Sequence, residues 1–153
     1  MKEIERRFFV KTMPQNLHEY KSHNITQGYV FFDPVVRLRK TQKDFFLTIK
    51  TGGLLVREET EINITKEHFE NMWQKVEGNI IDKTRYEIPL SPNLTAELDI
   101  FHAQFETLVI VEVEFDTPAH SQAFTPPDWF GEEITFSAKY TNKALAQYGS
   151  QSQ

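Results

Sequence analysis

Residues 3–10 read Glu3-Ile4-Glu5-Arg6-Arg7-Phe8-Phe9-Val10, and the orientation of this stretch decides the fold. In an extended chain successive side chains point to opposite faces, so Glu3, Glu5 and Arg7 share one face while Ile4, Arg6 and Phe8 share the other. Arg6 then reads as a surface residue on the apolar side. The charged face is either a solvated surface or the wall of a site.

The same period-2 pairing recurs along the chain. Strands are expected near residues 2–11, 25–32, 35–41, 44–50, 54–62, 79–88, 94–101 and 107–115. Arg37 and Arg39 align in VVRLRK, Thr48 and Lys50 in FFLTIK, and Arg57, Glu59 and Glu61 in LLVREETEI. Further on, Lys83 and Arg85 align in IIDKTRYEI, Glu97 and Asp99 in TAELDIF, and Glu112 and Glu114 in VIVEVEF. Eight acids and seven bases thus lie on one face of seven strands. The remaining strand, TQGYVFF, offers Gln27 and Tyr29 with Gly28 between them.

Asp33-Pro34, Gln42-Lys43 and Gly52-Gly53 are hairpin-grade turn signals, and links this short make the neighbouring strands antiparallel. One helix is expected in TKEHFENMWQKVEG, with Thr65 as N-cap, Phe69, Met72, Trp73 and Val76 as its apolar stripe, and Gly78 as the stop. A second is expected over residues 142–148 and a third around 16–22. Residues 118–127 read as a polar loop and 149–153 as a frayed tail, leaving a single domain over residues 1–148.

Totals narrow the function. With 153 residues the chain suits one compact domain, and a formal net charge of −5 argues against a general nucleic-acid binder. The absence of cysteine removes disulfides, thiolate metal sites and cysteine nucleophiles. The charged N-terminus lacks signal-peptide character and no apolar run is long enough to span a membrane, so a cytoplasmic protein is expected, with oligomeric state open. His18, His23, His68, His102 and His120 have no ligand spacing.

Two readings fit the charged face. An antiparallel sheet can simply be wet on one side. Alternatively, about eight strands can close into a barrel that holds one small ligand, with the apolar face turned outward. Like charges at i and i+2 repel unless something opposite lies between them, which favours the second. Clustered Arg and Lys suit phosphate, and clustered carboxylates without His or Cys suit a hard cation such as Mg²⁺ or Mn²⁺. Together they describe a metal-bound polyphosphate.

These residues resemble the CYTH superfamily, the triphosphate tunnel metalloenzymes. EIERR stands where the family carries its ExExK strand, and QGY at 27–29, RLR at 37–39, TIK at 48–50, REETE at 57–61, KTR at 83–85, ELD at 97–99 and EVE at 112–114 follow in order. WFGEEIT and KYTNKALA are similar to the C-terminal closure of the compact bacterial members. The resemblance implies a mainly β (α+β) fold, an eight-stranded antiparallel closed β-barrel forming a tunnel, with a few helices packed outside. It also implies hydrolysis of a triphosphate with Mg²⁺ or Mn²⁺. In that frame Glu3, Glu5, Glu112 and Glu114 hold metal, with Asp99, Glu59 and Glu61 as further or outer ligands. Arg7, Arg37, Arg39, Lys50, Arg57, Lys83 and Arg85 clamp phosphoryl oxygens, and Tyr29 gates the tunnel or touches substrate. Lys50, Glu5 and Arg39 are the catalytic candidates.

The chain departs from the family pattern at Arg7, where the signature has Lys, and before Lys139, where FSAKYTN lacks the acidic residue often seen there. The substrate expected is inorganic triphosphate. An adenylate cyclase of the class IV type, a nucleoside or thiamine triphosphatase, and a non-catalytic polyphosphate-binding module remain as alternatives.

Overall fold

The computed structural model describes residues 1–149. Nine strands alternate with three short helices: β1 Lys2–Val10, β2 Lys21–Phe31, β3 Val35–Lys40, β4 Phe45–Gly52, β5 Val56–Asn63, α1 Lys66–Trp73, β6 Glu77–Ser91, β7 Leu94–Phe101, β8 Val109–Glu114, α2 Pro118–Ala123, β9 Phe130–Glu133 and α3 Asn142–Tyr148. Every pairing is antiparallel, in the order β5-β4-β3-β2-β6-β7-β8-β1, and β1 pairs back onto β5 through Glu3↔Arg57. Eight strands therefore close into a barrel. β9 extends the wall where β5 leaves β1, pairing with β1 at Phe8 and Val10. At the junction the Arg7 N–H would lose its strand partner, and the Thr135 hydroxyl accepts it at 3.0 Å.

The main apolar core lies outside the barrel wall. Ile4, Phe8, Leu98, Val111 and Val113 point outward and pack with Phe115 and Phe130, under a cover that includes Phe124 and Trp129. On the opposite side α1 lays Phe69 against Phe45, and Trp73 stacks on Phe69 at 5.0 Å. Gly28 has no side chain for a reason: a Cβ there would meet Val76 Cγ1 at 2.6 Å and the Trp73 ring at 3.1 Å.

Inside the barrel the face changes character along each strand. Two residues beyond the charges, Phe9, Tyr29, Val35, Ile81, Phe101 and Ile110 continue the inward series as apolar groups, and Ile134, Leu145 and Ala146 dock on them. The α3 end of the barrel is thus floored by a small second core, while its middle is charged.

Several expectations need correcting. The segment read as a polar loop contains α2, which starts with Pro118 in its first turn after Thr117, whose hydroxyl accepts the His120 N–H at 3.1 Å. Pro118 is compatible with a first helical turn because no hydrogen bond is needed from that nitrogen. The third helix shrinks to a 3₁₀ turn over Leu17–Glu19, and β2 begins at Lys21, earlier than expected. β9 is an addition. The first helix ends at Trp73, well before Gly78. Gly78 instead sits at φ 76° beside α3, where a Cβ would collide with the Ala146 carbonyl. Of the expected tail only Gly149 is described. Its N–H bonds the Leu145 carbonyl at 2.9 Å, closing α3, and residues 150–153 lie outside the described residues. No helix among the described residues is long and apolar enough to cross a membrane.

Candidate active site

Closure turns the charged face into a lumen of about 220 Å³. Its wall carries Glu3, Glu5, Arg7, Tyr29, Arg37, Arg39, Lys50, Arg57, Glu59, Glu61, Arg85, Glu112 and Glu114, all expected at the site. Lys83 and Asp99, also expected there, lie behind that wall and are 1% and 0% exposed. Glu97, Thr141, Asn142 and Lys143 join the lining without having been assigned to the site. Glu97 already stood on the charged face beside Asp99 in the sequence, without a role of its own. The α3 residues could not be found there, because nothing local in TNK says where the helix docks.

Cross-strand register explains how so many charges coexist. Glu3 faces Arg57, Lys50 faces Glu59, Arg7 faces Glu112 and Arg85 faces Asp99. The side chains close these pairs: Lys50 Nζ lies 2.9 and 3.0 Å from the two Glu3 oxygens and 3.3 Å from Glu59, and Arg57 reaches Glu5 at 3.0 Å. Asp99 is held in a fork by Arg85 at 2.7 and 2.8 Å and by Lys83 at 2.7 Å. Asp99 thereby fixes the plane of the Arg85 guanidinium, and Lys83 shares the same carboxylate. Thr48 bridges Arg37 and Glu61, and the Gln27 amide oxygen accepts from Arg39 at 2.9 Å.

The pairing is incomplete in two places, and these give the lumen its poles. On the β7–β8–β1 wall like charges stand in register, Glu5 opposite Glu114 and Glu97 opposite Glu112. Burial, reinforced by Glu112 and Glu3, pushes the Glu5 carboxyl up to about 8. Burial with Glu3, Glu97 and Glu59 raises Glu114 to about 7. Glu112 goes the other way: burial disfavours its charge, but Arg7 and Arg85 hold it well below the usual carboxylate range. The opposite wall is cationic. Burial, together with Arg37 and Arg85, lowers Arg39 to about 9, so this guanidinium stays charged at neutral pH under repulsion. Arg37 Nε and Arg57 Nε, and Arg7 Nη2 on β1, are buried without a hydrogen-bond acceptor. A buried donor of this kind is costly unless a ligand completes it.

The acidic pole offers only carboxylate oxygens, the donor type preferred by hard divalent cations. Glu3, Glu5, Glu112 and Glu114 fit such an ion in kind. Among the described residues no three acidic or histidine side chains already converge as a metal nest. Three of the four carboxylates are instead drawn to Lys50, Arg57, Arg7 and Arg85. At Arg7 the replacement of the signature Lys has a visible use. Its Nε bonds Glu112 at 3.2 Å and its Nη1 the Tyr140 carbonyl at 2.7 Å, a planar span that an ammonium cannot reproduce.

Tyr29 stands at the junction of the charged lumen and its apolar floor, stacked on Phe32 at 5.8 Å. Arg6 is no ordinary surface residue. It forks onto Glu133 at 2.7 and 2.8 Å, donates to the Ser121 and Phe124 carbonyls, and lies over the Phe8 and Phe124 rings. The outer core supplies these partners, which are invisible from the β1 sequence.

Comparison with known proteins agrees with this geometry. The CYTH domain family model matches residues 1–141. An inorganic triphosphatase of Nitrosomonas europaea is 43% identical over 149 residues, covering 95% of this chain and 97% of that protein. An inorganic triphosphatase of Acetivibrio thermocellus is 34% identical over 155 residues, with 95% and 94% covered. The solved structure of the inorganic triphosphatase NE1496 superposes with a TM-score of 0.71 at 39% identity, covering 97% of each chain. The chain belongs to the CYTH family.

Proposed function

We propose that this protein hydrolyses inorganic triphosphate to pyrophosphate and phosphate in its lumen with a divalent metal, Mg²⁺ or Mn²⁺. The single observation that carries this reading is the two-pole lumen, which demands an anion on one wall and a hard cation on the other. The names of the similar proteins support the same substrate. The lining supports an inorganic over an organic triphosphate: apart from Tyr29 and Val35 it offers no apolar or aromatic surface for a base.

Arg37, Arg39, Arg85, Arg57 and Arg7 bind the phosphoryl oxygens, completing the donors that lack partners. They remain in place as charge spreads over the equatorial oxygens in the transition state. Glu3, Glu5, Glu112 and Glu114 would hold the metal, with Glu59 and Glu61 nearby, and the metal would neutralise phosphate charge and lower the pKa of a bound water. A water oxygen bonds to a terminal phosphorus while the bridging P–O bond breaks. The water proton passes to a lumen carboxylate, and pyrophosphate departs with the bridging oxygen. Lys50, held by Glu3 and Glu59, balances charge on the attacking or departing oxygen.

Parallel incubation of the purified protein with tripolyphosphate, ATP and thiamine triphosphate, with Mg²⁺ or Mn²⁺, tests the reading. Phosphate and pyrophosphate are expected from tripolyphosphate first, and Glu5→Gln or Lys50→Ala should suppress release. Cyclic AMP from ATP would favour a cyclase. Tight binding of tripolyphosphate without turnover would favour a non-catalytic module.

A further inference from the structure

We propose that Lys143, in the first turn of α3, positions the end of the substrate and makes the lumen prefer an inorganic triphosphate over a triphosphate ester. The inference rests on the triphosphatase reading above. Beside α3 the lumen opens into a second cleft of about 250 Å³, between that helix and the β4–β5 turn. Val35, Lys50, Arg57, Thr141 and Lys143 line both spaces and so form the neck between them. Beyond the neck the lining loses its charge density, and Leu54, Ala138, Ala144 and Tyr148 form much of the wall.

Three cations stand at this neck, but they are not equivalent. Lys50 is bound to Glu3 and Glu59, and Arg57 to Glu3 and Glu5. Lys143 makes no ion pair among the described residues and is half-buried against the lumen. Its position is fixed by the segment that carries it. Arg7 donates to the Tyr140 carbonyl at 2.7 Å, Lys83 donates to the Asn142 side-chain oxygen at 3.3 Å, and the Thr141 hydroxyl caps α3 at Ala144. The segment is anchored on Arg7 of the lumen wall and on Lys83 behind it, and it delivers a further cation that makes no ion pair among the described residues.

A tripolyphosphate presents a fully charged phosphoryl group at each end, whereas an ester carries a neutral organic group at one of them. An uncommitted ammonium at the neck favours the charged end. An ester would have to thread its organic group past Lys143 into the less charged cleft.

The test compares wild type, Lys143→Ala and Lys143→Arg by initial rates on tripolyphosphate and on ATP, and by calorimetric titration with tripolyphosphate. Loss of one charge-assisted contact should raise KM for tripolyphosphate about tenfold in Lys143→Ala, with kcat changed by less than about threefold. The preference for tripolyphosphate over ATP should fall by a similar factor, and Lys143→Arg should restore most of it. An unchanged KM, or an equal loss on both substrates, would overturn the proposal. If the wild type turns over no tripolyphosphate, the triphosphatase reading fails and the titration alone decides. A weaker Kd in Lys143→Ala then supports the contact, and an equal Kd removes it.

Discussion

Arg6 and Arg7 are neighbours on one strand, and they divide the molecule between them. Arg6 faces out, where Glu133, two carbonyl oxygens and two aromatic rings meet its guanidinium. Arg7 faces in and is the more deeply enclosed of the two, yet its Nη2 has no acceptor. The outer face of the barrel is satisfied by the protein itself and carries its stability. The inner face leaves guanidinium donors open at Arg37, Arg57 and Arg7 and sets like-charged carboxylates in register on the β7–β8–β1 wall, an arrangement that a ligand completes. Charge inside a protein is thus no measure of stabilisation, and what separates structure from site is whether the partners are already present.

The largest effect that would break this contrast is at the acidic pole. Glu5→Gln should lower tripolyphosphate turnover by at least about 10²-fold, since several kcal/mol of charge stabilisation is lost with the ligand. Steady-state phosphate release measures it, and wild-type rates would remove Glu5 from the metal site.

Next comes the cationic wall. Arg39→Gln deletes a charge that Arg37 and Arg85 oppose, while keeping a donor for Gln27. Turnover should drop about 10²-fold, as for other donors to developing oxyanions, with the melting temperature unchanged or raised. A large drop in Tm with full activity would reverse the assignment of that wall.

Arg6→Ala should show the opposite signature. Loss of the charge-assisted bonds to Glu133 and the carbonyls should cost about 2 kcal/mol, or roughly 4–8 °C in Tm, with kcat/KM within about threefold of wild type. Thermal melts and rates on the same preparation separate the two outcomes.

The smallest effect is in pH. The side-chain bond from Arg6 holds the Glu133 carboxyl below its ordinary value. A depressed carboxyl contributes stability above its unfolded pKa and loses it as pH falls through the folded value. The Tm gap between wild type and Arg6→Ala should therefore narrow between about pH 5 and pH 3, by well under 1 kcal/mol for so exposed a pair. A gap that widens on acidification would contradict the assignment.

Much of this architecture could be read from the chain. Period-2 alternation made the strands and the charged face legible, because burial on one side of a pleat imposes it directly. Closure was not legible in the same way. It depends on Glu3 meeting Arg57 across β1 and β5, a register set by hairpin geometry and twist rather than by any local pattern. The lumen wall inherited nearly all of its residues from the alternation. Asp99 and Lys83 ended behind that wall, joined to each other and, through Asp99, to Arg85, which spacing alone does not reveal. Lys143 was hidden for a related reason: a short helix of TNKALAQY carries no signal for the surface on which it docks.

The most direct measurement follows phosphate release from tripolyphosphate by wild-type protein with Mg²⁺ or Mn²⁺, then after chelation, then after metal is restored. A two-pole lumen requires one phosphate per tripolyphosphate with pyrophosphate left over, loss of release with the chelator, and recovery with metal. Release that ignores the chelator, or tripolyphosphate that binds and stays intact with metal present, would contradict it.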